Sequence, residues 1–256
     1  MRLNWLCELS AAAETPFWRS DLAARVLQIE ALLGADLIAR LHGESVVWMG
    51  HAPKPASLLK KRMIKCPIFV SALGTSADLP TIVSEFDNLP FQSRSVDAVV
   101  MHHALEEVSD PRTVLREATR ILAPGGRLIV FGFNPWSLLG IRRGFASLLP
   151  DRLAQLRLVN PIRLFDWFTL LGLELDAPPA YGGFALFWDR FLSKSIVPSA
   201  SQIPFGGLVI TSAVKQQATM HFKKLASKSR QKLAPVAYPR IATWQEHKFR
   251  SPRDEQ

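Results

Sequence analysis

Residues 95–133 read SVDAVVMHHALEEVSDPRTVLREATRILAPGGRLIVFGF, and this stretch decides the fold. It opens on an apolar run, Val96 to Met101, that reads as a buried strand around Val99 and Val100. His102 and His103 follow, and then a helix with strong start signals. Asp110 stands as its N-cap, where a side-chain oxygen satisfies free backbone N–H groups, and Pro111 as its first residue, where a missing N–H costs nothing. Val114, Leu115, Ala118, Ile121 and Leu122 make its apolar face. Pro124-Gly125-Gly126 stops it, and Arg127 to Phe131 is the next buried strand.

The pattern continues outward from this unit. Upstream, Leu22, Val26, Ile29, Leu33, Leu37 and Leu41 recur at helical spacing, with Gly34 as a point of division and Gly43 as the end. Ser45 to Met49 reads as a strand, and Pro53 and Pro55 open a helix through Leu58 and Leu59. Pro67 to Ser71 is a second strand and Thr81 to Glu85 a weaker third. Downstream, a helix is expected from Trp136 to Leu149, ended by Pro150. Another starts at Asn160-Pro161, turns Ile162, Phe165, Phe168 and Leu171 inward, and ends at Gly172. Leu173 to Leu175 and Gly207 to Val214 read as strands, with the aromatics Tyr181, Phe184, Phe187, Trp188 and Phe191 between them. Strands alternating with helices predict an α/β fold with a mainly parallel sheet.

Composition narrows the class. The chain has 256 residues, 48% of them hydrophobic, with a mean hydropathy of +0.10. That suffices for one sizeable core and excludes disorder throughout. The net charge of +9 is unevenly placed: residues 216–256 hold nine Lys or Arg against three acidic residues. This segment also loses apolar periodicity and gains Pro235, Pro239 and Pro252, so it reads as a basic, disordered tail with one short helix near His221–Leu225. It reads as a solvated charge run, with contact to nucleic acid or another polyanion as the alternative. Cys7 and Cys66 form neither a disulfide framework nor a zinc pattern, which fits a reducing cytoplasm. No apolar run approaches the ~18–20 residues of a membrane span. Glu8 and Glu14 interrupt the apolar stretch after Arg2, so no signal-peptide core is expected.

In an open α/β sheet, ligands sit outside the carboxyl ends of the strands. Those positions are Gly50–Pro53, Ser71–Gly74, Glu85–Pro90, His102–Glu106 and Gly132–Ser137. Two neutral readings stand beside any role in binding: His102 and His103 as ordinary strand-end residues, and Gly50 as a plain turn. His102, His103, Glu106 and Glu107 lack a recognised zinc spacing, and Glu106-Glu107 suits an exposed helix turn, so no metal is expected. Trp136, Trp167 and Trp188 read as core or lid packing, and the aromatics from Tyr181 to Phe191 as the candidate substrate contact.

Glu85-Phe-Asp-Asn-Leu-Pro-Phe91, Ser95-Val-Asp97, His103, Asp110-Pro111, Leu115-Arg-Glu117 and Arg120 to Gly126 together resemble the second half of a class I S-adenosylmethionine-dependent methyltransferase domain. Gly132-Phe-Asn-Pro-Trp-Ser137 and Asp166 to Gly172 resemble a bacterial branch of that family, the YafS-like proteins. The resemblance spans Phe17 to Lys215 and implies a Rossmann-like sandwich whose mainly parallel seven-stranded sheet carries an antiparallel last strand. It implies a helical segment at 1–44, a methyltransferase-like domain at 45–215 and the tail at 216–256. It also implies methyl transfer from S-adenosyl-L-methionine (SAM) to a small-molecule acceptor. Cofactor contacts would come from Met49 and Gly50 in the first loop, Glu85 near the adenine with Phe86 flanking the ring, and Met101, His102 and His103 at the methionine end. Asp97 is a family position with a structural role. A general base, where the acceptor needs one, would be His102 or His103.

The first half departs from the family pattern. Gly50 is the one glycine between Met49 and Pro53 where the family has G-x-G-x-G, and no carboxylate follows Ser71 and Ala72 to meet the ribose. Two alternatives therefore stand beside the enzyme: a methyltransferase-fold module with a degenerate SAM site, and an RNA-directed enzyme that uses the basic tail.

Overall fold

The computed structural model describes Trp18 and residues 20–50, 64–72, 80–137, 140, 157–183 and 204–216. The helix expected at Leu58–Leu59, all but residues 136, 137 and 140 of the one expected from Trp136 to Leu149, the aromatics Phe184 to Phe191, Cys7 and the tail beyond Gln216 lie outside the described residues. The elements are α1 (Asp21–Leu33), α2 (Ala35–Ala39), β1 (Ser45–Gly50), β2 (Cys66–Ser71), β3 (Thr81–Val83), β4 (Val96–His102), α3 (Pro111–Ile121), β5 (Leu122–Phe133), α4 (Pro161–Leu170), β6 (Leu173–Leu175), β7 (Ala180–Gly182) and β8 (Leu208–Lys215).

They form a sheet in the order β3-β2-β1-β4-β5-β8-β6, with β1 to β5 parallel and β8 antiparallel to both its neighbours. This is the expected Rossmann-like arrangement, with one refinement. The eighth strand, β7, shares the outer edge of β8 with β6: Leu173–Leu175 pair with Ala213–Lys215, and Ala180–Gly182 pair with Leu208–Ile210. Pro178 and Pro179 separate the two pieces because proline cannot donate to a ladder.

Alternation along the strands sorts the core into two layers. Val46, Trp48, Ala98, Val100, Ile129, Phe131 and Ile210 face α1, meeting Ala23, Val26, Leu27 and Leu33. Val47, Met49, Val99, Met101, Leu128 and Val130 face the other way, toward Val114, Leu115, Ala118 and Ile121 of α3. Ser20 caps α1 by accepting from Ala23 N at 3.2 Å, and Asp110 caps α3 by accepting from Arg112 N at 3.0 Å.

Many residues behind the family resemblance are scaffold. Asp97 accepts hydrogen bonds from Glu44 N at 2.7 Å, Ser45 N at 3.0 Å and Ser45 Oγ at 3.2 Å, which ties the start of β1 to β4. Those donors hold its carboxyl below the ordinary carboxylate value. Glu117 anchors the Arg120 guanidinium, which donates to the carbonyls of Leu89 and Phe91 and fixes the loop before β4. The Pro124-Gly125-Gly126 turn lies inside β5, longer than expected, because Gly126 passes so close to β4 that a Cβ would stand 2.8 Å from Asp97 O.

Asp97→Ala leaves two strand-start N–H groups without their acceptor. It should lower stability by about 1–3 kcal/mol in urea unfolding without altering ligand binding at the opposite, carboxyl ends of the strands. An unchanged urea midpoint would remove this structural assignment.

Candidate functional site

Because β1 to β4 are parallel, their carboxyl ends share one edge of the sheet. Gly50, Ser71, the Glu85 loop and the His102–His103 step all emerge there. The chain runs from β1 outward to β2 and β3 and then returns to β4 on the other side of β1, so the β1/β4 junction is a topological switch point. At that junction Gly50 pairs with His102. Its φ is +91°, and a Cβ there would lie 2.2 Å from His102 O. Gly50 is thus required by the close approach of two backbones, not by a plain turn.

His102 and His103 do not face open solvent. They meet a third residue, Glu30, which the sequence reading did not single out. Glu30 lies on the buried stripe of α1 and is 2% exposed. Its Oε2 accepts from His102 Nε2 at 2.9 Å and its Oε1 from His103 Nε2 at 2.6 Å. His103 Nδ1 donates to Glu106 Oε1 at 3.4 Å, and the same oxygen accepts from Phe133 N at 2.9 Å. Trp18, Trp48, Phe131 and Phe133 wall the two rings.

Consecutive strand residues ordinarily point to opposite faces. His102 points toward α1, as Ala98 and Val100 do. His103 reaches the same carboxylate because its φ is +54°, a left-handed conformation costly for a residue with a Cβ.

Charge follows from this geometry. Both nitrogens of His103 face carboxylates, so both carry hydrogens. Burial alone would push its pKa down, but Glu30 and Glu106 outweigh burial and raise it to about 10. Burial would likewise raise Glu30, but His103 and His102 bring it down to about 2. His103 is therefore an imidazolium at neutral pH and has no free lone pair to act as a general base. Glu106 is buried at 2%, not on an exposed turn; Glu107 does face solvent.

The other expected positions divide. Glu85 is exposed, two residues past the end of β3, and its carboxylate is accessible. Phe86 is 5% exposed and packs in the α3-side core with Leu89, and Met49 and Met101 are fully buried in the same layer. These three support the site from beneath. Asn134 is fully buried; its Nδ2 donates to Pro204 O and Gly206 O, and its Oδ1 accepts from Trp136 N, which closes the end of β5 against the start of β8. A cavity of about 320 Å³ lined by Arg40, His42, Asp97 and Arg127 lies at the amino ends of the strands, away from this edge.

Comparison with known proteins agrees with the topology. Residues 49–130 match a family model described as a methyltransferase domain. Over 88 residues the chain is 38% identical to the Escherichia coli (strain K12) protein named uncharacterized protein YafS, covering 34% of this chain and 37% of that one. Over 119 residues it is 31% identical to demethylmenaquinone methyltransferase of Mycobacterium sp. (strain KMS), covering 44% of this chain and 48% of that one. The chain thus spans between about a third and a half of these curated relatives. A SAM-dependent methyltransferase from Thermotoga maritima, described as a possible histamine N-methyltransferase, superposes with a TM-score of 0.60 at 23% identity, over 75% of this chain and 92% of that one. Geranyl diphosphate C-methyltransferase from Streptomyces coelicolor A3(2), solved with Mg2+, geranyl diphosphate and S-adenosyl-L-homocysteine, superposes with a TM-score of 0.53 at 14% identity, over 75% and 78%. The chain thus has the fold of these SAM-dependent methyltransferases.

The opposed pKa shifts give the network a defined pH window. Glu30, depressed from 4.5 to about 2, contributes stability that fades as pH falls below about 4.5. His103, raised from 6.5 to about 10, contributes stability that is complete below about 6.5 and fades as pH rises toward 10. The urea midpoint of the metal-free protein should therefore fall steadily on the alkaline side. Glu30→Gln should cost about 3–5 kcal/mol at neutral pH and flatten that alkaline decline. A midpoint independent of pH from 6.5 to 10 would contradict the buried ion pair.

Proposed function

We propose that the domain transfers a methyl group from SAM to a small-molecule acceptor. The observation that carries this reading is the strand order, with Gly50 at the β1/β4 switch point and an accessible carboxylate, Glu85, on the same edge. These residues fit the cofactor. A glycine leaves room for close backbone approach, and an exposed carboxylate suits the polar edge of a nucleoside. Phe86, next to Glu85 and largely buried, would flank the ring from the core side.

SAM supplies an electrophilic methyl group on sulfur, which passes to the acceptor as the carbon–sulfur bond breaks and its electron pair stays on sulfur. The chain's contribution is positioning, since holding nucleophile and methyl carbon in line removes much of the entropic barrier. Glu85 would hold the nucleoside. His103, held as an imidazolium, supplies no base, so an acceptor that begins protonated must lose its proton to water or to another group. Exposed Trp136 and Phe205, on the loops after β5 and before β8, offer apolar surface at this end of the sheet, which favours an acceptor with an apolar part.

A second reading has its own support: His102 and His103 are sealed beneath α1, and the first loop holds a single glycine. A methyltransferase-fold module that binds no SAM would look the same at those positions. Isothermal titration calorimetry separates the two. The enzyme reading expects saturable heat with SAM or S-adenosyl-L-homocysteine, and Glu85→Ala should weaken affinity about tenfold or more. No heat at millimolar ligand would favour the module. The 216–256 tail retains its proposed contact with nucleic acid or polyanion; its deletion should flatten the salt dependence of any RNA affinity.

A further inference from the structure

We propose that Glu30, His102 and His103 form a structural binding site for a transition-metal dication of the zinc type, fastening α1 to the carboxyl end of β4. One ligand atom from each of the three residues lies within 4.8 Å of the others. Each Glu30 oxygen faces a different imidazole Nε2, at 2.6 and 2.9 Å, so the carboxylate and the two Nε2 atoms present three ligands to one ion. Two histidines and a carboxylate are a donor set that zinc accepts at about 2.0–2.2 Å per bond. Entry of the ion requires the three groups to part by a few tenths of an ångström.

Two independent observations point the same way. The left-handed backbone at His103 is a cost, and what it achieves is the convergence of consecutive histidines on one carboxylate. In addition, His103 turns its remaining nitrogen, Nδ1, to Glu106, whose Oε1 is fixed in turn by Phe133 N. A ligating histidine characteristically donates its second N–H to such a carboxylate, which sets the tautomer and orients the ring. Among the described residues the aromatic wall and near-complete burial separate the three ligands from solvent, so the ion's role is structural.

The exchange balances simply. In the metal-free state each Nε2 carries a hydrogen; on binding, His103 releases its Nε2 proton to solvent and keeps its Nδ1 hydrogen on Glu106, while neutral His102 moves its hydrogen from Nε2 to Nδ1, so that both Nε2 atoms donate lone pairs to the ion. Affinity must therefore rise with pH, by up to tenfold per unit for the one proton displaced.

The test uses the full chain. It is stripped with a chelator, equilibrated with zinc, freed of excess and assayed by elemental analysis, with cobalt(II) absorption as a second probe. The expected result is about one equivalent retained, a higher melting temperature, and tighter binding at pH 8 than at pH 6. His102→Ala and Glu30→Gln should each reduce retention at least tenfold, whereas Glu85→Ala should leave it unchanged. Should those variants fail to fold, the wild-type histidine 15N spectrum decides: zinc should shift Nε2 of His102 and His103 alone. Folded wild-type protein that retains no zinc would overturn the proposal. So would full retention by His102→Ala, or a 15N response confined to other histidines.

Discussion

A carboxylate placed beneath an apolar helix has to be paired, and in this chain that requirement organises the functional end of the sheet. Glu30 shares its stripe with Val26, Leu27 and Leu33, so when α1 packs on the sheet the charge is carried into the core. An unpaired charge there would cost several kcal/mol. The partners come from the end of β4, and serving both oxygens of one carboxylate bends His103 into a left-handed backbone. Glu106 then balances the imidazolium from the other side and also takes up Phe133 N at the end of β5. One buried acid thus couples α1, β4 and β5 at the edge where the fold places ligands.

Much of the architecture was legible in the sequence. The strand–helix–strand unit from Val96 to Phe131 was readable because local signals agreed: Asp110 and Pro111 at the helix start, an apolar face on α3, and continuous apolar runs for strands covered on both sides. The division of the outer edge into β6 and β7 was not, since three-residue strands carry almost no periodic signal.

The site was half legible. His102, His103 and Gly50 could be singled out from position after a strand. Their partner could not, because it lies 72 and 73 positions away. A local signal did exist, namely a glutamate spaced with Val26, Leu27 and Leu33 on the inward face of α1. It passes easily for an ordinary helix surface residue if the stripe is phased on Leu22 and Leu37, which are only partly buried. Phe86 sits in the core with Leu89, as its hydrophobicity favours. Asp97, Glu117 and Arg120 show why motif agreement exceeds functional information: they hold strands and loops together and touch no open edge.

The proposed methyl transfer requires that SAM be held at the carboxyl edge around Gly50, Glu85 and the end of β4. Amide hydrogen exchange with and without S-adenosyl-L-homocysteine tests it most directly. The account predicts slower exchange in residues 84–88 and 103–107, with Arg40–Gly43 and Ala123–Arg127 at the opposite end unchanged. Protection at that opposite end, or none anywhere at saturating ligand, would contradict it.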